Sequence, residues 1–295
     1  MDQVTKECNN KLRQKKVNIG YWNLKPIYIQ ALTYADDIVL VADSEQNLQH
    51  IVNTWTDSLK DKKLDINPNK CKILQVTKKT EEETGKPEIR IGDTLLEAVD
   101  NFKYLGTVFT RNGKIDTEIK NRIAQATRTY YQINKTIINK KEIEPKTKLQ
   151  IYQSIYLPTL LYGCETWART TKVDSQVTAA EMKYLRRVAN KTRWDRERNS
   201  KIREDLKVQE AVTEKIERTQ LRWYGHVKRM SQDRIVRRSV EAKEWKTRAR
   251  GRPRITWLDN IKEYGRRREK TLPEIDRLTK DRAQWKAFTE ATRRQ

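Results

Sequence analysis

The chain has 295 residues, a formal net charge of +23 and 35% charged side chains. So large an excess of Lys and Arg predicts an anionic partner, with nucleic acid first, because phosphate contact is the commonest use of clustered cations. Eight Trp and twelve Tyr exclude a disordered basic tail, and three scattered cysteines exclude a disulfide framework or a zinc knuckle.

No apolar stretch approaches the roughly 20 residues of a membrane span, and no apolar run follows Met1. The expectation is an intracellular protein of nucleus or cytoplasm with no membrane partner. The charge is uneven: residues 181–295 hold 35 Lys and Arg against 18 Asp and Glu, an excess of 17, while residues 1–180 hold 28 against 22.

In chain order, two apolar segments, 28–32 and 38–42, flank Thr33-Tyr34-Ala35-Asp36-Asp37 and predict strand, turn and strand. Asp43 and Ser44 offer N-cap oxygens to a helix whose apolar face runs Leu48, Ile51, Val52, Trp55 and Leu59. Residues 72–76 come next as a strand and 78–87 as a polar loop. Residues 89–96 form a hairpin turning at Gly92-Asp93, and 102–109 a further strand closed by Asn112-Gly113. Ile115, Ile119, Ile123, Ala126, Tyr130, Ile133 and Ile137 then step by threes and fours, which predicts a long amphipathic helix. Helices are expected near 146–157, 173–189, 203–229 and 231–247. After a break at Gly251 and Pro253, two shorter ones are expected near 254–264 and 274–291.

Nucleotide transfer by polymerases uses two divalent ions, and hard ions such as Mg²⁺ take carboxylate oxygens. Adjacent aspartates at a hairpin tip suit that task, because the strands fix the carboxylates and little bulk blocks an approaching polymer. Asp36 and Asp37 fit. A bare Asp-Asp is ordinarily a solvated turn; the strands on both sides and the capped helix behind distinguish this one.

The segment Ala31-Leu32-Thr33-Tyr34-Ala35-Asp36-Asp37-Ile38-Val39-Leu40 resembles the Tyr-x-Asp-Asp hairpin of reverse transcriptases from non-LTR retrotransposons. The segments downstream of it resemble that family in their order: Asn67-Pro68-Asn69-Lys70-Cys71-Lys72, then Phe102-Lys103-Tyr104-Leu105-Gly106-Thr107, then the long helix where a thumb begins. Leu161-Tyr162-Gly163-Cys164-Glu165-Thr166-Trp167, Arg222-Trp223-Tyr224-Gly225-His226-Val227 and Gly251-Arg252-Pro253-Arg254-Ile255-Thr256-Trp257 are similar to C-terminal segments of such elements.

The resemblance implies an RNA-directed DNA polymerase in which Asp36 and Asp37 hold Mg²⁺ and Tyr34 sits by the primer–template. Template RNA and target DNA would be the partners. It also makes residues 102–107 a primer-grip hairpin, with Tyr104, Leu105 and Gly106 positioning the primer end, and places Lys70 and Lys72 near the triphosphate. An ordinary strand and turn, and a solvated lysine, are the competing readings.

The family's third catalytic carboxylate lies on an earlier strand. Only 33 residues precede Tyr34 here, and their one aspartate is Asp2, in a polar setting. The expectation is a fragment without polymerase activity of its own, in which Mg²⁺ binding is weak or absent and nucleic-acid binding is retained.

For binding, Arg122 and Arg128 lie off the long helix's apolar face, and Arg222, Arg248, Arg250, Arg252 and Arg254 mix with aromatic rings farther on. Trp223 and Trp257 are expected in the core, and His226 as a packed helix residue. The architecture is α+β: a partial reverse-transcriptase palm of hairpins plus helix in 1–112, an all-α thumb in 113–190 and a basic helical C-terminal region in 191–295. The alternative is a domesticated, non-catalytic RNA- or DNA-binding or scaffolding protein.

Overall fold

A computed structural model describes residues 2–12, 16–22, 25–77, 79, 84–242 and 254–291. Its contacts divide into two units: Met1–Lys114 with Ser231–Arg250, and Ile115–Met230 with Gly251–Gln295. Helices and small two-stranded sheets together make the chain α+β.

The first unit is organised by one helix. Ser44 accepts a hydrogen bond from the Asn47 amide (3.3 Å) and starts α2 (Glu45–Lys60). One side of α2, with Ile51, Trp55 and Leu59, packs on Val4, Cys8 and Leu12. Val4 and Cys8 are one-turn neighbours on α1 (Asp2–Lys11), and Leu12 follows its last residue. Val52 turns the other way, onto Ile73, Ile89 and Leu96. Burying each such aliphatic side chain contributes about 1.5–3 kcal/mol, so the spacing along α2 decides which two layers it joins.

Hairpins surround this helix. β1 (Val17–Trp22) pairs with β2 (Lys25–Ile29), and β3 (Ala31–Tyr34) with β4 (Asp37–Leu40), both antiparallel. β5 (Lys72–Ile73) runs parallel to β8 (Glu97–Ala98), whereas β6 (Arg90–Ile91) turns back as β7 (Thr94–Leu95) at Gly92-Asp93. β9 (Asn101–Tyr104) pairs with β10 (Thr107–Thr110). The single strand expected over 102–109 is therefore a hairpin, because Leu105 (φ 45°) and Gly106 (φ 84°) both take the left-handed backbone of a two-residue turn. The strand expected over 72–76 closes after Ile73.

The second unit is helical. α3 (Asp116–Ile133) ends in a π turn over Asn134–Ile138. α4 (Pro145–Ile151) passes through a second π turn, Tyr152–Tyr156, into α5 (Leu157–Leu160). α6 (Thr171–Val188), α7 (Asn199–Asp205) and α8 (Val212–Arg229) come next. The single helix expected over 203–229 is broken, because Lys207 takes φ 55° and turns the chain between α7 and α8. α9 (Ile235–Glu241) falls in the first unit, where Arg238 donates to the Pro26 carbonyl (3.2 Å). α10 (Trp257–Arg266), α11 (Leu272–Leu278) and α12 (Arg282–Glu290) return to the second. Gly251 and Pro253 lie outside the described residues.

Three buried tyrosines form the centre of the helical core. The Tyr184 ring stands 5.3 Å from Tyr152 and 4.8 Å from Tyr156. Each phenol finds an acceptor: Tyr152 on Glu181, Tyr156 on the Ala180 carbonyl, Tyr184 on the Lys148 carbonyl. Burial holds all three phenols well above their ordinary pKa, so they stay neutral donors and none of the three hydroxyls is left unpaired.

Candidate functional site

The Asp-Asp pair sits where its strands dictate. Register pairs Tyr34 with Asp37 across β3 and β4, leaving Ala35-Asp36 as a two-residue turn. Ala35 takes φ 52°, a left-handed conformation that costs a residue with a Cβ about 1–2 kcal/mol. Behind the tip, Ile38 and Leu40 pack toward α2, so the hairpin is anchored at its base while Asp36, Asp37 and Tyr34 (64% exposed) face solvent.

The β9–β10 hairpin lies within electrostatic reach of this tip. Burial raises the Tyr104 phenol above its usual value, and the Asp37 charge adds to the rise. A carboxylate acts on a phenol this way only over a short distance. Leu105, at the turn of that hairpin, is 41% exposed and also left-handed. Two strained, glycine-poor positions thus cap the two hairpins. Strain of this kind persists where surrounding structure imposes it, often at working sites. Sequence reading missed both, because the only signal is a two-residue turn with no glycine at its first position.

Two adjacent carboxylates supply oxygen donors for a hard cation. An in-line transfer between two ions needs a fuller set. Among the described residues, no group of three or more His, Cys, Asp or Glu is placed to hold a metal ion. The described residues do not fit a closed two-ion centre.

The remaining candidates separate. Lys72 pairs with Glu97 across the β5–β8 register. Arg122 corrects its expectation: it is 4% exposed, ion-paired with Glu118 one turn back and 4.8 Å over the Tyr162 ring, so it faces the core instead of a phosphate track. Arg128 and Arg254 are exposed, and Arg222 is exposed beside Glu290 at 3.4 Å. Arg248, Arg250 and Arg252 lie outside the described residues.

The three C-terminal motifs meet in one core. Gln220, buried on α8, donates to the Cys164 and Trp167 carbonyls (2.8 Å each) and accepts from the Tyr264 hydroxyl (2.7 Å). Tyr264 in turn accepts from Arg169 (2.9 Å), and Asn260 clasps the Arg169 backbone at both its amide and its carbonyl. Trp257 donates to the Glu165 carbonyl (2.7 Å), with its ring 6.0 Å from Tyr224. Trp257 is thus a half-buried packing residue. Trp223 is also half-buried and lies against His226, which is exposed on α8 because its neighbours Tyr224, Gly225 and Val227 take the inward face. The histidine expected to be packed is therefore at the surface. Trp194, by contrast, is 92% exposed.

Among the described residues, no helix is long and apolar enough to cross a membrane. Residues 1–109 match the family model for reverse transcriptase (RNA-dependent DNA polymerase). An uncharacterized transposon-derived protein of Caenorhabditis elegans is 25% identical over 265 residues, covering 87% of this chain and 93% of its own length. The Pol polyprotein of the type-1 retrotransposable element R2 from Nasonia vitripennis is 35% identical over 99 residues, 31% of this chain. The RNA-directed DNA polymerase of the mobile element jockey from Drosophila melanogaster is 27% identical over 184 residues, 60% of this chain. The matched stretches make up only 10% and 19% of those two polymerases. No solved structure matches the chain. Residues 1–109 thus carry the reverse transcriptase family pattern, and parts of the chain are similar to retrotransposon polymerases.

Proposed function

We propose that this chain is the primer–template-holding part of a retrotransposon reverse transcriptase, and that by itself it binds RNA and DNA without extending a primer. In this reading residues 1–112 are palm hairpins, 113–190 a thumb and 191–295 a basic binding region. Asp36 and Asp37 are two of the parent polymerase's Mg²⁺ ligands. Tyr34, Tyr104, Leu105 and Gly106 lie along the primer end.

The observation that carries the reading is the exposed Asp36-Asp37 tip beside the Tyr104 hairpin, with no third ligand grouped with it among the described residues. The net charge of +23 supports a grip on phosphate that weakens as salt rises.

The test is binding to a labelled RNA–DNA primer–template over a salt series, with Mg²⁺ and nucleotides added and extension scored in the same tubes. Salt-sensitive binding without extension is the expected result. Extension above that of the Asp36→Ala, Asp37→Ala double variant would overturn the inactive part of the reading, and absence of binding would overturn the rest.

A second reading is favoured by one observation: the worm protein matches across 93% of its own length, so a protein of similar span stands as a chain in its own right. A domesticated, non-catalytic binding or scaffolding protein would show sharp sequence preference or a stable protein partner in place of indiscriminate binding.

A further inference from the structure

In the second unit α3, α6 and the loop joining α6 to α7 enclose a groove of about 560 Å³. Its lining includes five cations, Lys183, Arg186, Arg187, Lys191 and Arg193, against one carboxylate, Asp174, which is already held by Arg169 at 2.7 Å. Arg186 and Arg187 are positioned by uncharged acceptors: the Glu197 carbonyl and Asn199 for the first, Asn139 for the second. Those contacts orient the guanidinium groups without cancelling their charge. Glu197 pairs with Lys191 at 3.5 Å. The groove therefore keeps a surplus of positive charge.

The joining loop is built, not slack. The Lys191 amide donates to the Arg186 carbonyl (2.8 Å), and Asp195 accepts from both the amide and the hydroxyl of Thr192 (2.5 and 2.8 Å). Asn190 and Arg196 hold left-handed turns at either end, φ 53° and 52°. This loop carries Trp194, next to Arg193 on the groove wall, with 92% of the tryptophan exposed. An indole standing in water on a built loop, next in sequence to a row of cations, combines the two elements of single-strand recognition, a stacking platform and a phosphate track.

We propose that this groove binds unpaired nucleotides of a single strand, with phosphates along Lys183, Arg186, Arg187, Lys191 and Arg193 and a base stacked on Trp194. The proposal rests on the nucleic-acid-binding reading above and assigns it a strand and a place. A paired duplex presents no free base face to Trp194, so the indole discriminates unpaired from paired strands.

The test uses the full chain with labelled oligouridylate, oligothymidylate and a fully paired DNA duplex of equal length, each titrated at several salt concentrations. Trp194→Ala is expected to weaken both homopolymers roughly five- to hundredfold and to leave the duplex unchanged, as loss of one stacked base predicts. Trp194→Phe keeps most of the affinity. Lys191→Gln with Arg193→Gln lowers the slope of affinity against salt by about one to two units.

Equal loss on the two homopolymers assigns the site to the base and phosphate chemistry they share. Loss on one alone assigns it to RNA or to DNA. Because Trp194 makes so little contact, the alanine variant is expected to unfold at the wild-type midpoint. Wild-type affinity of Trp194→Ala for both homopolymers, or an equal loss on the duplex, overturns the proposal while the broader function stands. Failure of the wild-type chain to bind any of the three overturns the broader function with it.

Discussion

Replacing Gly225 by alanine tests the packing of the helical core at one atom. Gly225 is buried on α8, and a Cβ built there falls 2.0 Å from Trp285 Nε1 and 2.6 Å from its Cδ1 and Cε2. Carbon contacts settle near 3.5–4.0 Å, so the indole would have to retreat by roughly 1.5 Å. It has little room: Trp285 is 3% exposed, stacked on Phe288 at 5.2 Å and 6.3 Å from Tyr224. Alanine gains about 1 kcal/mol over glycine inside a helix, while overpacking costs about 1–3 kcal/mol and more for a large ring with no exit.

The net expectation for Gly225→Ala is a loss of up to about 2 kcal/mol, the overpacking range less the helix gain. It would be read from urea unfolding of the full chain by far-ultraviolet circular dichroism. In a Trp285→Leu background the clash is gone, and the same substitution should turn neutral or stabilising by up to about 1 kcal/mol. A rise in the unfolding midpoint for Gly225→Ala in the wild-type background would refute the reasoning, because it would mean that the indole does not lie on Gly225.

Three other outcomes can be measured. Asp37→Asn should lower the Tyr104 pKa toward its ordinary value of 10.0, leaving the part due to burial, as followed by NMR of labelled tyrosine; an unmoved titration would separate the two hairpin tips. Glu181 is wholly buried and satisfies Arg203 (2.5 Å), the Tyr152 hydroxyl (3.0 Å) and the Val212 amide (3.1 Å), so Glu181→Leu should cost about 3–5 kcal/mol of stability. Chemical denaturation within about 1 kcal/mol of wild type would contradict that role, since it is the net worth of one ordinary hydrogen bond. Glu263 is held down to about 2, chiefly by the Arg266 hydrogen bond (2.8 Å) and then by Arg267. Its folded pKa lies below the unfolded value near 4.5, so its contribution is complete above that pH and lost as pH falls toward 2. Glu263→Gln should therefore flatten the acid side of a thermal-unfolding series between those values. An unchanged profile would show that the pairing contributes nothing.

Much of the first unit could be read from the chain itself. Apolar spacing along α2 named four residues that proved buried, Ile51, Val52, Trp55 and Leu59, and Ser44 supplied the cap. The Asp36-Asp37 hairpin was readable because a strand pair needs only local alternation and a turn. The family resemblance implied the hairpin that forms over 102–107, whereas the apolar pattern ran 102–109 together as one strand, because a leucine at positive φ gives no warning in the sequence. The Lys207 turn between α7 and α8 was missed for the same reason.

Arg122 shows a different limit. Helical spacing put it off the apolar stripe, but the partners that bury it, Glu118 one turn away and Tyr162 forty residues on, are chosen by tertiary packing. The groove beside Trp194 is of that kind too. Arg186 and Arg187 are separated from Arg193 in the sequence, and only the loop between them brings them to one wall, with Trp194 next in sequence.

The path of the chain also constrains how it can be made and cut. Residues 231–242 group with the N-terminal unit although the helical unit lies on both sides of them in sequence. During synthesis, β1 and β2 emerge early but wait for more than two hundred residues before α9, which carries Arg238 to the Pro26 carbonyl, leaves the ribosome. The helical unit is interrupted in turn, and Gln220 and Trp257 complete their shared core only after that excursion is finished. A cut after Lys114 therefore releases an N-terminal piece lacking one of its own helices, and a stop codon before residue 257 leaves α8 without the helices that seal it. Expression of either half alone should yield an aggregation-prone product, and a two-part complementation scheme would have to divide the chain elsewhere than at its apparent domain boundary.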